Sequence, residues 1–102
     1  MDIENSLAAL NNPIRRKILE WLKDRSNFPA ALAEHADLEG VCVAYIQEKA
    51  QLSQSTISSY MTILKRAGFV VAERHGQWTF YRRDEENIAL FLEAVQRELL
   101  KP

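Results

Sequence analysis

The stretch that most constrains this 102-residue chain is 53–83, where a serine-capped amphipathic helix gives way, at one glycine, to two short β-prone runs. Ser53 has the side chain of an N-cap, and Gly68 stands where a helix C-terminus turns left-handed. Stepping about 100° per residue between them puts Ile57, Tyr60, Met61, Leu64 and Ala67 on one face. The opposite arc is Ser55, Ser58, Ser59, Thr62, Lys65 and Arg66, small hydroxyls with two cations at the C-terminal end. The spacing predicts a helix over 53–67. Phe69–Glu73 and Trp78–Arg83 then predict two strands, joined by Arg74-His75-Gly76-Gln77 with Gly76 at a positive-φ turn position.

The flanks are helical. Ile3, Leu7 and Leu10 share a stripe on a short helix over 1–10. Asn12 as N-cap and Pro13 at the first helical position start a second, which carries Ile14, Ile18, Trp21 and Leu22 inward and ends near Arg25. The least patterned part is 26–40, with room for one or two helical turns over Ala30–His35. Val41-Cys42-Val43 predicts a small strand, and Ala44–Ala50 a helix with Ile46 and Ala50 inward, followed by a brief turn at Gln51-Leu52-Ser53. Asp84, with Glu85 and Glu86 in the first turn, caps a last helix. Its stripe is Ile88, Phe91, Leu92, Val95 and Leu99, and Arg97 and Lys101 lie near its C-terminal end. Helix, short turn, helix and hairpin, in that order, make a mainly α fold with a β-hairpin wing: a winged helix-turn-helix in a single domain over 1–102.

Overall charge argues against nucleic acid, at a net −1 and a pI near 6.1. Its distribution argues the other way. Residues 53–83 hold Lys65, Arg66, Arg74, Arg82 and Arg83 against Glu73 alone, a net of +4, while 1–52 carries −2 and 84–102 carries −3. An acidic body with one basic third predicts weak affinity for DNA of arbitrary sequence. A helix entering the major groove needs short polar side chains, so that its backbone approaches the base edges and its hydroxyls donate or accept. Gln54, Ser55, Thr56, Ser58, Ser59 and Thr62 meet that need, with Lys65, Arg66, Arg74, His75 and Gln77 placed for phosphate or groove edge and Arg82 or Arg83 as further candidates.

The run Leu52 to Val70 (LSQSTISSYMTILKRAGFV) resembles the recognition-helix signature of the ArsR/SmtB family of bacterial transcriptional repressors. Leu10 to Leu19 (LNNPIRRKIL) resembles the start of that family's second helix, and Gly76 to Arg82 (GQWTFYR) its wing. The resemblance implies a homodimer, with the first and last helices packed across the two-fold axis and the recognition helices set for successive major grooves. The apolar stripes agree independently, because so small a domain struggles to bury both alone. Candidate interface residues are Ile3, Leu7, Leu10, Ile88, Phe91, Leu92, Val95 and Leu99.

Two departures from the family matter. Its metal-sensing members begin the third helix with Cys-Val-Cys, where this chain reads Cys42-Val43-Ala44, and their last helix supplies histidines, where 84–102 has none. Zinc takes about four nitrogen or sulfur ligands, and Cys42, His35 and His75 do not make that set, so no metal or cofactor is expected. The 26–40 segment is also longer than the resemblance implies. Cys42, the single cysteine, allows no internal disulfide and reads as a small buried apolar residue rather than a redox switch.

Enzymatic activity is not expected. The chain has no Gly-rich phosphate loop, no recognisable carboxylate pair, and no histidine or lysine near the serine cluster to activate it. The rival is a winged-helix module that binds protein; such a helix would more often expose aliphatic or aromatic anchors than serines. No apolar run approaches the roughly eighteen residues of a membrane span, and the first ten residues lack a basic region before an apolar stretch. A cytoplasmic protein with double-stranded DNA as partner is the expectation.

Overall fold

A computed structural model describes residues 2–100 and Pro102. In chain order it contains α1 (Ile3–Leu10), α2 (Pro13–Trp21), a 3-10 turn (Arg25–Asn27), α3 (Pro29–Glu34), β1 (Val41–Cys42), α4 (Val43–Ala50), α5 (Gln54–Arg66), β2 (Val70–His75), β3 (Trp78–Arg83) and α6 (Glu85–Leu100). Lys101, expected near the end of the last helix, lies outside the described residues. Among the described residues no helix is long and apolar enough to cross a membrane.

The helix starts follow the predicted chemistry. Asn12 Oδ1 accepts from the amides of Ile14 at 2.8 Å and Arg15 at 3.0 Å, with Pro13 at the first position where no amide is needed. The end of α2 comes earlier than the spacing predicts, at Trp21 rather than near Arg25. Asp24 is the reason: its carboxylate caps the 3-10 turn instead, accepting from the Ser26 amide at 2.9 Å, and those Ser26 bonds hold it below the usual carboxylate range.

Ile18, Ile46, Ile57, Met61, Leu64 and Phe69 are fully enclosed, so the core sits where α2, α4 and α5 meet the start of β2. The expected two-stranded hairpin is a three-stranded antiparallel sheet in the order β1-β3-β2, with Val41 opposite Tyr81 and Cys42 opposite Phe80. Val43 is not a strand residue; it opens α4. The wing connection is also tighter than predicted. Arg74 and His75 pair with Thr79 and Trp78, leaving only Gly76-Gln77 in the loop, with Gly76 at φ +63 and Arg74 Nε donating to its carbonyl at 3.1 Å.

Strand alternation gives the sheet two apolar sides. Val41 and Val70 face the main core, while Cys42 and Phe80 face the other way and are buried as well. The segment left unpatterned by sequence covers that second side. The His35 ring stands edge-on to Phe80 at 5.1 Å, and the Glu39 carboxylate lies 3.4 Å from Arg82 Nε. His35 and Glu39 thus form a roof over the wing sheet, while Phe28 and Ala31 of the same segment are buried in the main core.

Candidate nucleic-acid interface

α5 is oriented from below. Ile57, Met61 and Leu64 are completely buried, which turns Gln54, Ser55, Ser58, Ser59, Thr62, Lys65 and Arg66 to solvent. The predicted inner and outer arcs are both observed, Tyr60 and Ala67 being half-buried at the boundary. Before α5 comes a short turn in which Gln51 takes a left-handed φ of +56. Ser53 Oγ then accepts from the Thr56 amide at 3.1 Å, fixing the first turn.

The hydroxyls are not equivalent. Ser53 Oγ also donates to Thr56 Oγ1 at 2.8 Å, and Thr62 Oγ1 donates to the Ser58 carbonyl at 2.9 Å. Thr56 is therefore half-buried cap machinery, and Thr62 offers a groove only its oxygen lone pairs. Gln54, Ser58 and Ser59 remain exposed and unengaged among the described residues.

The five cations of the basic third divide sharply. Lys65 and Arg66 are exposed and form no ion pair among the described residues, and Arg74 is exposed on the sheet side that packs on α5. Arg82, exposed, is paired with Glu39. Arg83 is turned inward: it grips Glu85 with Nε at 2.7 Å and Nη2 at 3.0 Å, and its Nη1 donates to the Leu19 carbonyl near the end of α2 at 3.0 Å. Those bonds hold the Glu85 carboxyl below its ordinary range. As a phosphate ligand Arg83 is corrected by this geometry; it is a structural clasp between α2 and α6. Arg83→Ala should lower stability by about 1–2 kcal/mol in urea unfolding, yet leave the salt dependence of DNA binding unchanged. A slope reduced by about one would return it to the phosphate contacts.

His75 also differs from expectation. As the neighbour of Arg74 in a strand it points to the opposite side, its ring edge-on to Phe80 at 5.2 Å and its Nε2 3.5 Å from Glu73. The structure does not bring it together with Arg74. Gln77 and Trp78 are exposed at the wing tip, and Trp78, 47% exposed, is a groove candidate that alternation alone does not single out.

The apolar stripes of α1 and α6 are partly absorbed within the chain. Phe91 is buried edge-on against Phe69 at 5.2 Å, so it belongs to the core and not to an interface. Leu10, Ile88 and Val95 lean on the same core, and Ile3 is half-buried. Leu7, Leu92 and Leu99 stay 45%, 59% and 74% exposed, joined by Leu90 and Leu100, which lie off the predicted stripe. Cys42 is buried, and no three His, Cys, Asp or Glu side chains converge as ligands among the described residues.

No family model matches the chain. It is 42% identical over 95 residues to YbzH of Bacillus subtilis (strain 168), an uncharacterized helix-turn-helix-type transcriptional regulator, covering 89% of this chain and 92% of the relative. The transcriptional repressor SdpR of the same organism is 30% identical over 79 residues, covering 78% and 72% respectively. Among solved structures, the homodimeric winged helix-turn-helix DNA-binding domain of Mb0332 from Mycobacterium bovis, a possible ArsR-family regulator, superposes with a TM-score of 0.65 at 25% identity, covering 97% of this chain and 82% of that one. These relatives are regulators of transcription rather than enzymes, and the helix-turn-helix fold implies DNA binding. With its recognition-helix signature, its wing and these likenesses, the chain belongs to the ArsR family of winged helix-turn-helix transcriptional regulators.

Proposed function

We propose that the protein is a dimeric repressor that occupies a roughly palindromic operator through the helix over 53–67 and the wing over 69–83, acting in the cytoplasm as a single domain. The observation that carries this is the outer face of α5: exposed small hydroxyls ending in Lys65 and Arg66, set on a base of fully buried Ile57, Met61 and Leu64. Gln54, Ser55, Ser58 and Ser59 read base edges, with Thr62 contributing oxygen lone pairs and Thr56 holding the first turn in place. Lys65, Arg66 and Arg74 meet phosphate, and Gln77 flanks the groove from the wing tip.

Leu7, Leu92 and Leu99 cover one another across the two-fold axis, with Ile3, Leu10, Ile88 and Val95 behind them. Operator palindromy then mirrors the symmetry of the protein. The homodimeric state of the Mb0332 domain and the repressor role of SdpR support this reading. A bound dimer blocks a promoter by occupancy, and a signal that changes the separation of the two recognition helices releases it.

Selection of bound sequences from random duplex DNA tests the reading directly. Affinity for the selected duplex should fall steeply with salt, and Lys65→Ala should lower the slope by about one. Ser59→Ala should instead alter sequence preference at one position of each half-site. Binding that is absent or indifferent to salt sinks the repressor model and leaves the protein-binding module.

A further inference from the structure

The corner between α1 and α2 is closed by arginines. Arg15 Nε donates to the Ala9 carbonyl at 2.7 Å and its Nη2 to the Ala8 carbonyl at 3.0 Å, while the Arg16 guanidinium donates to the Leu10 carbonyl. These are terminal carbonyls of α1, which carry its negative dipole end; that of Ala8 also accepts from the Asn11 amide at 3.2 Å. α1 has no basic residue in its own last turn, so the next helix supplies the charge.

The Arg15 guanidinium also reaches a third helix. Its central carbon lies over the Tyr60 ring of α5, 5.3 Å from the centroid. Asn12, which caps α2 through Oδ1, donates from Nδ2 to the Tyr60 hydroxyl at 3.3 Å. Tyr60 directly follows Ser59 on the groove-facing helix, so a ring held from α1 and α2 anchors the helix that carries the hydroxyls. A fork of donors on two carbonyls and a flat face on an aromatic ring fix position and direction together, which an ammonium on a flexible stem cannot do.

We propose that Arg15 is a positioning residue for DNA recognition: by tying the end of α1 to Tyr60, it sets the placement of each recognition helix relative to the dimer axis. This rests on the dimeric reading, in which α1 lies at that axis. A guanidinium held by two carbonyls and one ring is not free to follow a phosphate, which separates its role from those of Lys65 and Arg66.

The test uses full-length wild type, R15K, R15M and Y60F on three kinds of duplex. These are the selected two-half-site sequence, the same with its spacer changed by one base pair, and a single half-site. One base pair moves a half-site by about 3.4 Å and 34°, so the wild type should discriminate strongly between spacers. R15K should lose about tenfold on the selected duplex, keep its affinity for the single half-site, and discriminate less between spacers. Y60F, which removes one hydroxyl from a half-buried site and keeps the fold, should move in the same direction by less. R15M should show the wild-type salt slope. The proposal alone is overturned if R15K and Y60F keep the wild-type spacer preference, if all duplexes weaken equally, or if the R15M slope falls by about one. Wild-type protein that binds none of the duplexes, or that binds them as a monomer, removes the dimeric repressor reading instead.

Discussion

Leu92→Glu is expected to leave a folded monomer that has lost most of its operator affinity. Leu92 is 59% exposed on α6, so a carboxylate there disturbs little within the chain. In the proposed dimer, however, it would stand in the apolar contact across the two-fold axis, and an unpaired charge buried in such a contact costs several kcal/mol. Once the partners separate, the second half-site is no longer reached at the high effective concentration of a linked module. Affinity for the two-half-site duplex should drop by about 10²–10⁴, with single half-site binding retained. Light scattering should give the mass of one chain, and thermal unfolding of the monomer should be close to that of wild type diluted below its dimer dissociation constant. A variant that remains dimeric moves the interface away from α6.

Gly68→Ala should be the most damaging single-atom change near the recognition helix. Gly68 ends α5 at φ +85, with its amide bonded to the Lys65 carbonyl and the Phe69 amide to the Leu64 carbonyl, both at 3.0 Å. This is a Schellman closure, completed by the buried contact of Leu64 and Phe69. An added Cβ would sit 2.0 Å from Asn87 Nδ2, the atom that donates to the Gly68 carbonyl at 2.7 Å. The left-handed backbone costs about 1–2 kcal/mol for an L side chain, and displacing Asn87 about 1 kcal/mol more. The sum, about 2–3 kcal/mol, lowers the melting temperature by about 10–20 °C in a chain of this size. Adding Asn87→Ala should cost less in the Gly68→Ala background than alone, because the displaced Asn87 has already lost its bond to the carbonyl and its removal relieves the clash. A Gly68→Ala variant within 0.5 kcal/mol of wild type, an ordinary surface effect, would mean that the corner adapts.

Where local chemistry decides the structure, the sequence could be read nearly residue by residue. The caps at Asn12 and Ser53, the stop at Gly68 and the two arcs of α5 depend on side chains within a few positions of one another. Distant partners decided the rest. Nothing within 26–40 announces that His35 will stand on Phe80 or Glu39 beside Arg82, because a roof held by one aromatic edge and one ion pair has no period. Charge counting found the basic third but could not see that Glu85 and the Leu19 carbonyl claim Arg83. Phe91 shares a stripe with Leu92, and only the fold separates a residue packed on Phe69 from one left to solvent.

The roof over the wing has a thermodynamic consequence. A bare hairpin would be ordered only when DNA arrived, and part of the contact energy would go into that ordering. Here Phe80 and Cys42 are already enclosed before any duplex is present. The heat-capacity change of association should therefore match the apolar surface buried at the groove and the wing tip, with no added contribution from coupled folding. In the proposed complex the wing would meet DNA as a preformed solid edge, its share of the ordering entropy already settled during folding.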